Sequence, residues 1–238
     1  MVTETHAAAT FYATPRGAVA GRLLSERLIR LWPAETMRGR AVLGIGFAPP
    51  YLQTWQDAGA RCIALSPSQL GVARWPALAA NLACLAEENA LPFPDLCFDR
   101  VILVHGLEAA ENARRLLREV WRVLKDDGRL IVVAPNRRGM WAHTESTPFG
   151  QGEPYSPGQI GRLLSSAMFR IERRDTALFM PPSQWRLLLR SAQMWEQAGR
   201  ALAPRIAGVT ISEAIKDMYA AVPAPALRQR RLVLAHAA

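Results

Sequence analysis

The chain has 238 residues, half of them hydrophobic, with 17 prolines and 16 glycines, which suits one large globular domain or one domain with appendages. Its longest apolar runs, around Val101–Val104 and Leu130–Pro135, are strand-sized and fall short of the roughly 18 apolar residues of a membrane-spanning helix. The N-terminus lacks the pattern of a secretory signal, so the sequence reads as cytoplasmic. The net charge of +9 comes almost wholly from arginine, since only Lys125 and Lys216 are lysines. That balance favours anionic partners, yet the arginines are scattered without a long basic-aromatic run, which argues against nucleic acid. Cys62, Cys84 and Cys97 form no CxxC pair and have no histidines at ligand spacing, so they read as reduced core residues and no metal is expected.

In chain order, AVAGRLLSERLIRLW places Val19, Leu23, Leu24, Leu28 and Leu31 at helical spacing before Pro33 stops it. AVLGIGF (Ala41–Phe47) and RCIALS (Arg61–Ser66) are unalternating apolar runs of strands buried on both faces. Between them PYLQTWQDAGA carries a helix with Tyr51, Leu52 and Trp55 on one side. A weaker run surrounds Leu82–Leu85, and the strongest strand is Arg100–Val104. Glu111–Leu124 is an amphipathic helix with Leu116, Leu117, Val120, Val123 and Leu124 in one stripe; DDG closes it before the strand Arg129–Pro135. Strands alternating with helices imply right-handed crossovers and a doubly wound, mostly parallel α/β sheet.

Beyond Asn136 the chain turns Gly- and Pro-rich, in a loop long enough to be functional or disordered. A helix over Ser156–Ser166 and the strand FRIERRDTALF follow. MPPSQWRLLLRSAQMWEQAGRAL then reads as one helix opening on prolines. Its Trp185, Leu188, Leu189 and Trp195 stripe is most simply core, with a dimer or membrane-surface contact as the alternative. GVTISEAIKDMYA is a last strand, and PAPALRQRRLVLAHAA a loosely held basic tail.

The order of elements, together with ENALPFPDLCFDRVILVHGLEAAENARRLLREVWRVLKDDGRLIVVAPN, resembles the class I S-adenosylmethionine-dependent methyltransferases, in particular a small bacterial group with an LPFPD…FD motif (type-11-like). The resemblance spans roughly Arg40–Pro135 and implies a seven-stranded, mostly parallel Rossmann-like sheet with a C-terminal capping insertion at about Asn136–Arg205. It divides a single domain into an N-terminal lid and helix (1–39), a cofactor-binding core (40–135), a substrate-side loop with capping helix and last strands (136–222), and the tail (223–238). It implies S-adenosylmethionine as cofactor, held by Gly44, Gly46, Ala48, Ser66, Glu87, Asn89, Leu91 and His105. The resemblance puts Glu87 beside the adenine, with Glu88 as the alternative, and a carboxylate beside an aliphatic wall suits the amino group and face of that ring.

The sequence departs from the family pattern at two places. Gly44 stands where the family has an acid, while Ala48 and Pro50 stand at later glycine positions of the first loop. Proline is tolerated in a first helical turn but lacks an N–H, so anion binding there should be reduced. At the end of the second strand, Ser66, Ser68 or Gln69 must replace the ribose-holding acid, at a cost of about tenfold in affinity.

Methyl transfer needs positioning more than a dedicated base, so catalytic groups are hard to read from sequence. His105, just after the strongest strand, His143 in the long loop, and Tyr12 in a possible lid are the catalytic candidates; Arg137, Arg138 and Trp141 are the substrate-side ones. The expected activity is methyl transfer to a small or lipid-like acceptor. The alternatives are an inactive methyltransferase-like protein that binds a protein partner, and a nucleic-acid methyltransferase, which would need a contiguous basic face beside the pocket.

Overall fold

A computed structural model describes residues 4–67, 74–76 and 78–217. Two helices open the chain, α1 (Glu4–Ala13) and α2 (Pro15–Leu31). Thr14 caps α2 by accepting from the Gly17 N–H, with Pro15 at its first position. The α1 helix was not among the sequence expectations.

The sheet follows: β1 (Ala41–Gly46), β2 (Arg61–Pro67), β3 (Ala83–Ala86), β4 (Phe98–Val104), β5 (Leu124–Pro135), β6 (Phe169–Ala177) and β7 (Val209–Lys216). Their spatial order is β3-β2-β1-β4-β5-β7-β6. The first five strands run parallel, and β7 is antiparallel to both β5 and β6. The doubly wound, mostly parallel seven-stranded α/β sheet read from the sequence is therefore the observed fold. Helix α3 (Pro49–Asp57) links β1 to β2 with prolines in its first turn, and α4 (Ala113–Val123) links β4 to β5.

Period-two geometry splits the central strands between two cores. Val42, Ile102, Val104, Ile131 and Val133 face the layer holding α2 and α3, with Leu24, Leu52 and Trp55. Leu43, Ile45, Val101, Leu103, Leu130 and Val132 face α4 and α5 (Pro157–Ser166), with Leu117, Val120 and Ile160. Both sides of β1 and β4 are thus buried, which is why their sequences do not alternate.

Two expectations need correction. The strand expected from Arg129 begins earlier: α4 ends at Val123, β5 runs from Leu124, which pairs with Phe98, and DDG lies in a register shift that leads into Arg129 opposite Arg100. The helix expected from Met180 to Leu202 is two pieces, α6 (Arg186–Arg190) and α7 (Ala192–Leu202), which meet at Ser191. Ser191 Oγ accepts no cap bond and instead donates back to the carbonyls of Leu187 and Leu188, an i−4 and i−3 pattern that competes with a straight helix. Pro181 and Pro182 precede both pieces. The long loop after β5 is built, with 3₁₀ turns at Met140–His143 and Pro148–Gly150 that bury Trp141 and Phe149. Ser68, Gln69 and the tail from 223 to 238 lie outside the described residues.

Candidate active site at the sheet switch point

In open α/β sheets ligands bind where strand order reverses, outside the carboxyl ends of the strands. Here that point lies between β1 and β4, where Gly46 pairs with Val104. Two groups of residues gather along this edge. One is a groove on the β2–β3 side, the other an aromatic cluster over β1 and β4.

The groove, with about 240 Å³ of space, is lined by Pro67, Glu87, Glu88, Asn89, Asn112 and Arg115, with Glu111 at its rim. Strand register explains the meeting of these residues. Pro67 is paired with Ala86, so Glu87 and its neighbours emerge beside the end of β2. Glu87 and Asn89 are exposed, while Glu88 is half-buried and accepts from the Asn112 N–H at 2.9 Å. Glu87 thus keeps its carboxylate toward the groove and Glu88 ties the groove to α4. Ser66 is buried at the end of β2.

The LPFPD segment is fixed by a single guanidinium. Arg122 on α4 donates to the carbonyls of Leu91 and Phe93 and to the carboxylates of Asp95 and Glu119. Glu119 in turn accepts from the Leu91 N–H. Hydrogen bonds to Glu119 and Asp95 hold the Arg122 pKa above its ordinary value despite partial burial. This physical link couples LPFPD to REVWRVL at long sequence range. Leu91 itself is buried in the α4-side core, so its part in the site is to hold the turn.

Over β1 and β4 the chain builds a hydrogen-bonded row. Tyr51 Oη donates to Tyr12 Oη at 2.9 Å, and Tyr12 Oη meets His105 Nε2 at 2.9 Å. His105 Nδ1 meets Glu108 Oε1 at 3.1 Å. Burial is the first cause that raises both tyrosine pKa values, so each is a phenol, and Tyr12 donates to Nε2 while Nδ1–H donates to Glu108. The Tyr12 ring keeps an open edge and stacks on half-buried Phe47 at 5.1 Å, although its hydroxyl points inward. Phe149 meets the His105 ring edge-on at 4.6 Å. His105 adopts φ +53°, a conformation rare outside glycine and common at functional sites. The second carboxylate oxygen of Glu108 is buried and has no hydrogen-bond partner among the described residues.

The glycines of the first loop serve the protein before any ligand. Gly46 has φ +85°, and a Cβ there would overlap the Val104 carbonyl oxygen. A Cβ on Gly44 would lie 2.5 Å from Ala48 Cβ and 2.8 Å from Leu52 Cδ1. The acid missing at Gly44 could not be accommodated without moving α3. Ala48 is fully buried at the start of α3, and the Phe47 N–H is taken by Val104 O at 2.7 Å.

The other candidates lie apart from this cluster. His143 is exposed and bonds the Arg137 carbonyl. Arg137 holds the Pro154 carbonyl, and Arg138 is exposed. Trp141 is core: its indole donates to Met180 O, and its ring packs on Phe11 and Phe149. Sequence reasoning passed over Glu108, Phe47, Tyr51 and Phe149. Glu108 carried a readable signal, three residues beyond His105 in HGLE.

S-adenosylmethionine joins an adenosine to a cationic sulfonium amino acid, and the residues present fit both ends. Glu87 and Asn89 in the open groove offer an acceptor and an amide to adenosine. At the switch point the stacked Tyr12 and Phe47 rings, and the Glu108 carboxylate linked to Tyr12 through His105, suit a cation. The weak part is the first loop, which has lost two N–H donors to Pro49 and Pro50.

Comparison with known proteins bears on this geometry. Residues 42–132 match the type-11 methyltransferase-domain family model. The demethylmenaquinone methyltransferase of Thermus thermophilus is 30% identical over 131 residues, 53% of this chain and 51% of that protein. The ubiquinone/menaquinone biosynthesis C-methyltransferase UbiE of Pasteurella multocida is 48% identical over 48 residues, 20% of this chain and 18% of that one. The chain thus spans about half or less of the length of these curated relatives. A solved S-adenosylmethionine-dependent methyltransferase from Archaeoglobus fulgidus superposes over 82% of this chain and 94% of its own, with TM-score 0.58 and 16% identity, a likeness of fold. Residues 42–132 are thus similar to the methyltransferase domain of the type-11 group, and the fold is that of the solved S-adenosylmethionine-dependent methyltransferases.

Proposed function

We propose that the protein transfers a methyl group from S-adenosylmethionine to a small, lipid-like acceptor, and that Tyr12, His105 and Glu108 take up the acceptor's proton. The observation that carries this reading is the row Tyr12–His105–Glu108 at the switch point, with distances of 2.9 and 3.1 Å. When bound, the cofactor supplies an electrophilic methyl group and leaves as a neutral thioether. Glu87 and Asn89 hold the adenosine end, with Ser66 near the ribose.

The acceptor's hydroxyl or acidic carbon gives its proton to the Tyr12 oxygen while Tyr12 passes its own proton to His105 Nε2. Burial raises the Tyr12 pKa first of all, so a free tyrosinate is disfavoured and the two transfers run together. The imidazolium that results is stabilised by Glu108, which also fixes the tautomer that leaves Nε2 as acceptor. The aromatic walls of Phe47 and Phe149 exclude water. The same walls, with the quinone chemistry in the relatives' names, support an acceptor that is flat and apolar. The arginines argue against nucleic acid: Arg115 alone lines the groove, while Arg122, Arg129 and Arg173 are tied to carboxylates.

The test is incubation with methyl-tritiated S-adenosylmethionine and a panel of quinols and phenolic lipids. The reading expects label in an organic extract, lost in Tyr12→Phe. Cofactor binding without transfer to any such acceptor would contradict the lipid-like substrate.

A further inference from the structure

We infer that the α6–α7 segment is a docking surface for an anionic lipid bilayer. Of the stripe expected to be core, Leu189 is buried and Leu188 half-buried, whereas Trp185 is 75% exposed and Trp195 40%; the neighbouring Leu187, Met194 and Leu202 are 79%, 66% and 84% exposed. Only Leu189 and Ala192 among its apolar residues turn inward as buried side chains. On α7 the exposed Met194, Trp195 and Leu202 recur at helical spacing and share one face.

Charge identifies the partner. In residues 181–206 the one acidic side chain, Glu196, is buried and accepts from the Phe179 N–H at 2.6 Å. It is 1% exposed and lies 3.9 Å from Arg200, so it adds little negative charge to the surface. Arg186, Arg190 and Arg205 are exposed. Arg186 and Arg190 join Arg22 of α2 around an open depression of about 350 Å³, with Pro15, Val19 and Leu189 as its apolar floor. None of these three arginines makes a hydrogen bond or ion pair among the described residues. The nearest acid on α2, Glu26, is engaged by Gln193. Three free guanidiniums over an apolar floor, rimmed by exposed tryptophan and leucine, match phosphate headgroups above acyl chains.

The surface is joined to the candidate active site. Arg16 donates to the carbonyls of Pro182 and Ser146, and Pro15 on the depression's floor lies three residues from Tyr12. A protein docked here would hold the α1–α2 junction, three residues from Tyr12, against the membrane. The proposal stands whether or not the chain transfers methyl groups, because none of these residues belongs to the switch-point cluster. Among the described residues no helix is long and apolar enough to cross a membrane, so the contact would be peripheral.

Co-flotation of the full chain with vesicles of phosphatidylcholine, with and without phosphatidylglycerol, tests it. The protein should float with the phosphatidylglycerol vesicles and be released by salt. Arg22→Gln, Arg186→Gln and Arg190→Gln together should reduce partitioning by roughly a hundredfold, about fivefold for each charge near the surface. Leu187→Ser with Leu202→Ser should weaken it through lost insertion, which keeps the proposal testable if the triple variant fails to fold. Failure to float, equal floating on neutral vesicles, or undiminished binding by both variants would overturn it. So would self-association that shields Trp185 from quencher without lipid, or an RNA oligomer binding at the same arginines in preference to vesicles.

Discussion

The two halves of the candidate site are built in opposite ways. On the β2–β3 side, Glu87, Glu88 and Asn89 come from one short segment, open to solvent, whose shape is set by the Arg122 hub beneath it. Over β1 and β4, Tyr12, Phe47, Tyr51, His105, Glu108 and Phe149 come from four separate stretches of chain and are packed into a mostly buried aromatic cluster. The open half depends on a local motif, so its residues can change with little effect on the fold. The closed half depends on tertiary packing, where a substitution acts on chemistry and stability together.

The largest expected effect separates chemistry from binding. His105→Ala should lower the methyl-transfer rate by about 10² to 10⁴ and leave cofactor affinity nearly unchanged, with partial recovery on adding imidazole. Rates and calorimetric affinities measured side by side check this. A parallel loss of affinity would mean that His105 holds cofactor, and the contrast between halves would fail. Gly44→Asp comes next. It restores the family's acid, yet the crowding by Ala48 and Leu52 should cost about 2–3 kcal/mol of stability in urea unfolding and bring no gain in affinity.

In the open half the effect is smaller. Glu87→Gln exchanges a charged acceptor for a neutral one, so cofactor should bind about tenfold more weakly, with an unchanged unfolding midpoint because the side chain is exposed. A control outside both halves is Glu213 in β7. Burial raises its pKa, but Arg173, the Trp32 indole N–H and Arg129 outweigh this and hold it below the ordinary value. Its stabilisation is therefore full above the unfolded carboxylate range near about pH 4.3 and is lost as pH falls through the lower folded pKa. Glu213→Gln should remove that acid-limb contribution, seen as a flatter dependence of the melting temperature on pH below about 4.3.

How much of this was legible in the sequence follows the same division. Runs such as Val42–Ile45 and Val101–Val104 announced two-faced parallel strands because every residue in them is apolar, and the sheet matches. The Glu87–Asn89 wall of the groove was legible because those residues are contiguous and ENALPFPD carries its own turn, while Pro67, Asn112 and Arg115 join it only through the fold. The row Tyr12–His105–Glu108 was only partly legible: two of its members were candidates, but the separation of 93 positions from Tyr12 to His105 hides a contact that only the packing of α1 creates. Gly44 read as a missing acid, whereas the structure shows a close approach of α3 to β1, a steric fact with no one-dimensional signature. At Trp185 and Trp195 the α6–α7 stripe misled for a related reason, while Leu189 is core as expected. A helical period shows which residues share a face and leaves open whether another element covers it.

The central claim is that an altered first loop still leaves a working cofactor site, with the open groove holding adenosine. Calorimetric titration of the protein with S-adenosylmethionine tests it most directly. The account predicts saturable binding, weakened by Glu87→Gln and retained by His105→Ala; no heat of binding at millimolar cofactor would contradict it.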